Sequence, residues 1–309
     1  MKETSGRMLN DSAPPPKYAM SLSKALFSAS TLLGRVLRAR VMASPAESDF
    51  NTSAELAKKH SPEEIAKREK WKSQQEELKL RLMEVDSEEV LQWGSAEGMF
   101  SQLHHVAGVD ISFMKESPNQ ACAMISILNF PQLEVVHTSC AAVEMTEPYI
   151  PGFLAFREVG FLLDRLEEVR QNHPQFTPQV ILVDGNGILH PRGFGIASHL
   201  GVLSGIPSIG VGKKLFHVDG IEQSPQHKQK IVDLLHKKGD YFSLEGTSGR
   251  VWGAALKTSD EASNPVYVSV GQKISLETAV KLVIACSMKR VPEPIRQADI
   301  QSREYLRTK

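Results

Sequence analysis

ILVDGNGILHPRGFG, Ile181 to Gly195, runs three apolar residues into one carboxylate, Asp184, and then turns glycine-rich, with His190 and Arg192 following. The apolar run is bounded by Pro178 and Gly185 and is rich in β-branched residues, so Gln179 to Val183 is expected to form a short, fully buried strand. Asp184 then stands at the strand's C-terminal end. In α/β sheets that is where ligands bind, because backbone groups are free there and side chains converge. A carboxylate in such a place is solvated, paired or bound to a metal, since an isolated ionised one is costly to bury. A turn or helix-capping aspartate is the competing reading, and the remaining chain decides between them.

Upstream, VAGVDISFMK, ACAMISILNF and LEVVHTSCAAVEM read as three strands separated by Ser117-Pro118-Asn119 and Pro131-Gln132, connections short enough for an antiparallel meander. A helix is expected from about Gly152 to Gln171, with Phe153, Phe156, Leu163, Leu166 and Val169 on its apolar face. Downstream come a short helix, Ile196 to Leu203, and a fifth strand, Pro207 to Val211. This succession implies a mixed α/β sheet flanked by helices, ordered 3-2-1-4-5. A Lys-rich helix (Gln226 to Lys238), three strands (Tyr241 to Leu244, Arg250 to Leu256, Val266 to Val270) and two closing helices (Ser275 to Met288, Ile295 to Leu306) complete the pattern.

Ser61-Pro62-Glu63-Glu64 is a helix start, with serine at the N-cap and proline in the first turn, and the helix is expected to run to about Met83. Residues 1–60 read differently. MKETSGRMLNDSAPPP lacks the apolar surface to offset ordering entropy. Residues 17–45 are Arg- and Ser-rich, acid-free and weakly amphipathic, the pattern of a mitochondrial transit peptide. The expected organisation is a disordered or targeting extension over 1–60 and one catalytic domain over 61–309.

Lys+Arg and Asp+Glu are both 36, so any nucleic-acid affinity has to come from local patches rather than from overall charge. Cys122, Cys140 and Cys286 have no metal spacing and read as small apolar residues in a reducing compartment. No apolar run reaches the ~18–20 residues needed to cross a bilayer, so no membrane partner is expected. With no coiled-coil pattern or large apolar stripe, a monomer is expected.

Asp110 lies inside the otherwise apolar VAGVDISF. With strands one and four adjacent, it would face Asp184, and two carboxylates that close repel unless a cation sits between them. Glu158, in FLAFREVG, has apolar neighbours and is expected to face inward, with a pairing to Arg157's turn as the alternative. Asp299, in VPEPIRQADI, is a fourth carboxylate, or else part of a solvated helix face. Oxygen ligands select hard cations such as Mg²⁺ or Mn²⁺, and sites of this kind hydrolyse phosphodiesters. Lys213 and Lys214, after PSIGVG, either end a strand in solvent or neutralise a phosphate. His190 is a phosphate or base contact or a loop residue, and His199 a packed one. In TEPYIPGF, two prolines stiffen the chain around Tyr149 and Ile150, so the pair could wedge between bases, or Tyr149 could simply pack on the helix start.

Taken together and in order, VAGVDISF, PYIPGFLAFRE, VDGNGILHPRGFG, GVGKKL and PEPIRQAD resemble the endonuclease V family, the deoxyinosine 3′-endonucleases, over about Lys67 to Arg307. The resemblance implies a ribonuclease H-like fold and Mg²⁺-dependent hydrolysis of the second phosphodiester bond 3′ to inosine, with Mn²⁺ able to substitute. It implies that Asp110 and Asp184 bind metal, with Glu158, Asp299 and Lys213 completing the catalytic set. By the same likeness Tyr149 and Ile150 form the wedge, His190 contacts substrate, and Gly152, Gly185 and Gly187 open a tight pocket for hypoxanthine. Gly212 departs from the alanine that relatives often carry. The long N-terminal stretch suggests an animal-type member, which would prefer inosine-containing RNA, with deoxyinosine DNA as a second substrate. Such a protein is expected in the cytoplasm and the nucleus or nucleolus, or in mitochondria if residues 17–45 act as an address.

Overall fold

The structure is a computed structural model that describes residues 61–94, 98–115, 117 and 119–308. The extension read over residues 1–60 lies outside them. Helix α1, Pro62–Lys79, opens at Ser61, whose Oγ accepts the Glu64 amide at 3.2 Å. A short helix α2, Glu88–Leu91, precedes the meander β1 (His105–Phe113), β2 (Gln120–Asn129) and β3 (Val135–Glu144). Then follow α3 (Leu154–Asn172), β4 (Val180–Asp184), α4 (Ile196–Ser204) and β5 (Ser208–Gly212). Helix α5 (Pro225–Leu234), strands β6 (Tyr241–Glu245), β7 (Val251–Leu256) and β8 (Val266–Gln272), and helices α6 (Leu276–Ala285) and α7 (Glu293–Arg307) complete the chain.

All eight strands form one sheet, ordered β3-β2-β1-β4-β5-β8-β7-β6. The expected 3-2-1-4-5 order is present, with β1, β4 and β5 parallel and the meander antiparallel. The three tail strands prolong the same sheet past β5, beginning with β8 antiparallel to it. Both faces of the central strands are covered, which is why β4 reads as an unbroken apolar run. Val106, Val180 and Leu182 pack on the face bearing α6 and α7, while Ala107, Val109, Ile181 and Val183 pack under α3 and α4. Helix α7 crosses β1 at backbone contact. A Cβ on Gly108 would lie 2.0 Å from the Pro294 carbonyl oxygen, so only glycine permits the crossing.

Two helices end about four residues earlier than their composition suggests, and each has a local cause. Past α1, the Met83 amide donates to Gln272 Oε1 and its carbonyl accepts from Lys273, so the chain leaves the helix to join the end of β8. Past α5, the amides of His236 and Lys237 both donate to Asp240 Oδ2, at 2.9 and 2.8 Å, closing a turn in place of another helical one. None of the described helices is long and apolar enough to cross a membrane.

Candidate active site

The parallel register of β1 and β4 pairs Val109 with Val183, so the next residues along, Asp110 within β1 and Asp184 at the end of β4, are lateral neighbours. Both share the parity of Val106 and Leu182 and therefore point to the face that α7 covers. Helix α7 brings Asp299 and Ser302 to the same place. Asp110 Oδ2 accepts hydrogen bonds from Ser302 Oγ at 2.5 Å and Ser112 Oγ at 2.7 Å. Burial nevertheless raises the Asp110 pKa, and the nearby negative charges of Asp299 and Asp184 push in the same direction against the two hydroxyls. Glu158 comes from α3, and its burial, with a smaller push from Asp110 and Asp184, raises its pKa to about 7 in spite of the neighbouring Arg157. Arg157 still attracts the Glu158 carboxylate, and burial outweighs that attraction in setting its pKa.

Two cations answer this charge. Lys213, just past β5, places Nζ 2.5 Å from Asp184 Oδ2, and Arg303 lies 2.5 Å from Asp299 Oδ1. Both pairs are partly exposed, a setting in which an ion pair is worth ~0–1 kcal/mol, so either cation can turn to a phosphate at little cost. Asp110, Asp184, Lys213 and Asp299 line one cavity of about 800 Å³ that extends along the end of β1.

The donor set suits a hard divalent cation. Asp110 and Asp184 are oxygen ligands on rigid neighbouring strands, and a cation between them would offset the burial that chiefly raises the Asp110 pKa as well as the smaller repulsion from Asp184 and Asp299. Among the described residues no three acidic, histidine or cysteine groups close into a cage.

A second assembly supports the PYIPG tip from beneath. Arg192 donates from Nη2 to the Gly152 carbonyl and from Nε to Gln75 Oε1, while its guanidinium lies 4.0 Å from the Phe153 ring centroid. Gln75, fully inside α1's packed face, also donates from Nε2 to the Phe194 carbonyl at 2.5 Å, and Lys79 Nζ donates to the Arg192 carbonyl at 2.8 Å. Trp71 stacks on Phe156 at 5.0 Å. Helix α1 thus anchors the tip. The clue in the sequence was Gln75 on the same helical face as Trp71.

The tip itself differs from expectation at one position. Tyr149 is 62% exposed and projects, but Ile150 is 2% exposed and packs with Trp71 and Phe153, so it is the footing of the tip rather than half of a wedge. Gly152 has φ +80°, and a Cβ there would sit 2.8 Å from Arg192 Nη2. Gly185, at φ +156°, lies against Ile196. Gly187 does not open a pocket. Its amide donates to Ser269 Oγ at 2.9 Å and a Cβ would come 1.8 Å from the Val270 carbonyl oxygen, so it is small to let the loop lie on β8.

His190 is buried and its pKa falls to about 4, chiefly by burial, so the ring is neutral. Its Nδ1 accepts the Arg192 amide at 3.2 Å and it packs beside Phe216, away from the carboxylate cavity. His199 is the packed residue expected, set between Phe156 and Phe194.

Comparison with known proteins agrees with this geometry. The endonuclease V family profile matches residues 91–300. Human endonuclease V is 50% identical over 237 residues, covering 77% of this chain and 82% of that protein, and mouse endonuclease V is 50% identical over 254 residues, covering 82% and 73%. A crystal structure of the human catalytic domain superposes with a TM-score of 0.75 over 80% of this chain and 98% of that one. A Ciona intestinalis endonuclease V, solved in complex with a 23mer DNA containing an inosine followed by a ribo-adenosine, is 32% identical with a TM-score of 0.72, covering 81% of this chain and 99% of that one. The fold, the convergence of carboxylates where β1 passes the end of β4, and these likenesses lead to one conclusion: the chain belongs to the endonuclease V family of nucleases.

Proposed function

We propose that this protein is a Mg²⁺-dependent endonuclease that hydrolyses the second phosphodiester bond 3′ to inosine, preferring single-stranded or loosely paired RNA and acting also on deoxyinosine DNA. The observation that carries the reading is the placement of Asp110, Asp184, Asp299 and Lys213 around one open cavity. An inosine-binding protein that does not cleave has no use for a carboxylate cluster that repels phosphate. The ligand of the Ciona relative is a DNA in which a ribo-adenosine follows the inosine, which supports tolerance of a ribose at that position.

Asp110 and Asp184 would hold the ion, with Mn²⁺ able to replace Mg²⁺. Bound there, such an ion lowers the pKa of coordinated water and offsets charge on the phosphate oxygens. Glu158 supplies a carboxylate whose pKa, about 7, suits it to accept a proton from the attacking water at neutral pH. The water oxygen bonds to phosphorus, the P–O3′ bond breaks, and the leaving O3′ takes a proton from solvent, so that the products are a 3′-hydroxyl and a 5′-phosphate. Lys213 Nζ, 2.5 Å from Asp184, turns to the phosphate as charge develops on it. Tyr149 lies at the head of a tip held rigid by Arg192 and Gln75, and it holds the neighbouring base out of the stack. Adenine presents an amino group where hypoxanthine presents a carbonyl oxygen, so fixed backbone donors near Gly152 and Gly185 reject adenine.

The test uses two end-labelled oligonucleotides of one sequence with a single inosine, one all-ribo and one all-deoxy, incubated with Mg²⁺ and then with EDTA. Cleavage of the ribo strand at the second bond 3′ to inosine, lost with EDTA, is expected. Faster cleavage of the deoxy strand would assign the protein to DNA repair, and binding without cleavage of either would refute the nuclease reading.

A further inference from the structure

The cavity beside the carboxylates is larger than a scissile phosphate and its ions require, and its far part is lined by residues with no role in the chemistry above. It runs from Lys213 and Asp184 past Asp110 to the end of β1, where Phe113, Met114 and Lys115 line it together with Arg303, Leu306 and Arg307 of the last two turns of α7. None of the residues at the Tyr149 tip or around His190 lines it. His190 follows β4 and packs on Phe216 beyond β5, so along the sheet edge the base-reading side lies across Asp184 and Lys213 from the far part of this cavity.

We propose that the far part of this cavity is a binding site for the nucleotide immediately 3′ of the cleaved bond. The inference rests on the nuclease reading and extends it to the strand that leaves as the 5′-phosphate product. A strand whose inosine is held on the β5 side and whose cleaved phosphate lies at Asp110 and Asp184 has to continue over the end of β1. At about 800 Å³, the cavity is in the ~300–1,000 Å³ range of sites that enclose a small molecule, enough for a nucleotide besides the phosphate.

Its chemistry is that of a nucleotide. Phe113 is 39% exposed, with the Arg157 guanidinium 5.0 Å from its ring centroid, so an aromatic platform backed by a cation stands at the cavity wall. Such platforms bind a base by stacking without reading its identity. Met114 and Leu306 add apolar surface, and Lys115, Arg303 and Arg307 set positive charge where the phosphates of the departing strand would run. The Arg303 pairing with Asp299 is partly exposed and yields readily to a phosphate.

The experiment uses the full chain, Mg²⁺ and two inosine oligoribonucleotides that differ only in whether the first residue beyond the cleaved bond carries a base or is abasic. Wild-type kcat/KM is expected to fall about ten-fold on the abasic strand, in keeping with the worth of one stacked base. Phe113→Ala is expected to lower kcat/KM on the complete strand and to cleave the two strands within about two-fold of each other, since the stacking partner is already gone. Arg307→Gln is expected to reduce by about one the slope of log kcat/KM against log salt. Equal cleavage of the two strands by the wild type overturns the site while leaving the nuclease reading intact, and it does so whether or not any variant folds. Failure of the wild type to cleave either strand refutes the nuclease reading and the site with it.

Discussion

His199 should make this protein acid-labile by a calculable amount. It is 5% exposed, lies between Phe156 and Phe194 at 4.9 and 5.7 Å, and its Nδ1 has no hydrogen-bond partner. Burial lowers its pKa from 6.5 to about 4. Because the folded-state value is depressed, the unfolded chain binds the extra proton first. Stability is therefore complete above pH 6.5 and declines as the pH falls from there toward 4, by up to ~1.4 kcal/mol per pH unit. Between pH 7 and pH 5 this one group accounts for about 2 kcal/mol. Replacing it by leucine removes the titration, so His199→Leu should lose about 2 kcal/mol less than the wild type over that interval. The assay is urea unfolding followed by fluorescence at the two pH values, comparing ΔG in water. Other groups titrate in both proteins and cancel in the difference, including His190, whose pKa is depressed in the same way. Identical pH dependence in wild type and His199→Leu would show that the ring is solvated or charged in the folded state and refute the argument.

Four further outcomes follow from the geometry. Asp184→Asn should abolish cleavage of an inosine oligonucleotide while gel-shift binding persists, because it removes an ion ligand but not the groove. Gly108→Ala should destabilise the fold by ~1–3 kcal/mol in thermal unfolding and reduce activity as well, since the new methyl must push the Pro294 carbonyl, and with it α7 and Asp299, off β1. Gln75→Ala should lower discrimination between inosine and adenosine strands by loosening Arg192 and the Gly152 carbonyl, and Gln75→Glu, which keeps an acceptor for Arg192 Nε, should restore part of it in a competition assay. Tyr149→Ala should raise KM more than Ile150→Ala does, while Ile150→Ala costs the greater stability, because only Tyr149 is exposed and Ile150 is buried.

What could be read along the chain was local. The alternation of apolar runs with Pro- and Gly-marked turns located the strands and the two long helices of the first half within a few residues, because a chain buried on both faces has to be apolar throughout. Asp110 and Asp184 stood out for the same reason, as charges where burial penalises charge. Less was legible where two distant segments meet. Sequence could not place the tail strands on β5, because sheet edges are chosen by packing and not by pattern. It treated Ile150 as a partner of Tyr149, since nothing nearby in the chain reveals that Trp71 waits beneath it. Gly187 was assigned to a ligand because a glycine's neighbour across space, here the Val270 carbonyl, leaves no mark beside it.

The sequence by itself determined the identity of the strands, the acidic residues at their ends and the stiff proline-bracketed tip, since each follows from the free energy of burying or bending a short segment. Only the tertiary structure decided that α7 lies directly on Gly108 and so delivers Asp299 and Ser302 to Asp110, and that α1 reaches across to hold Arg192 and the tip. Those contacts join residues more than a hundred positions apart, and their geometry is set by the packing of whole elements.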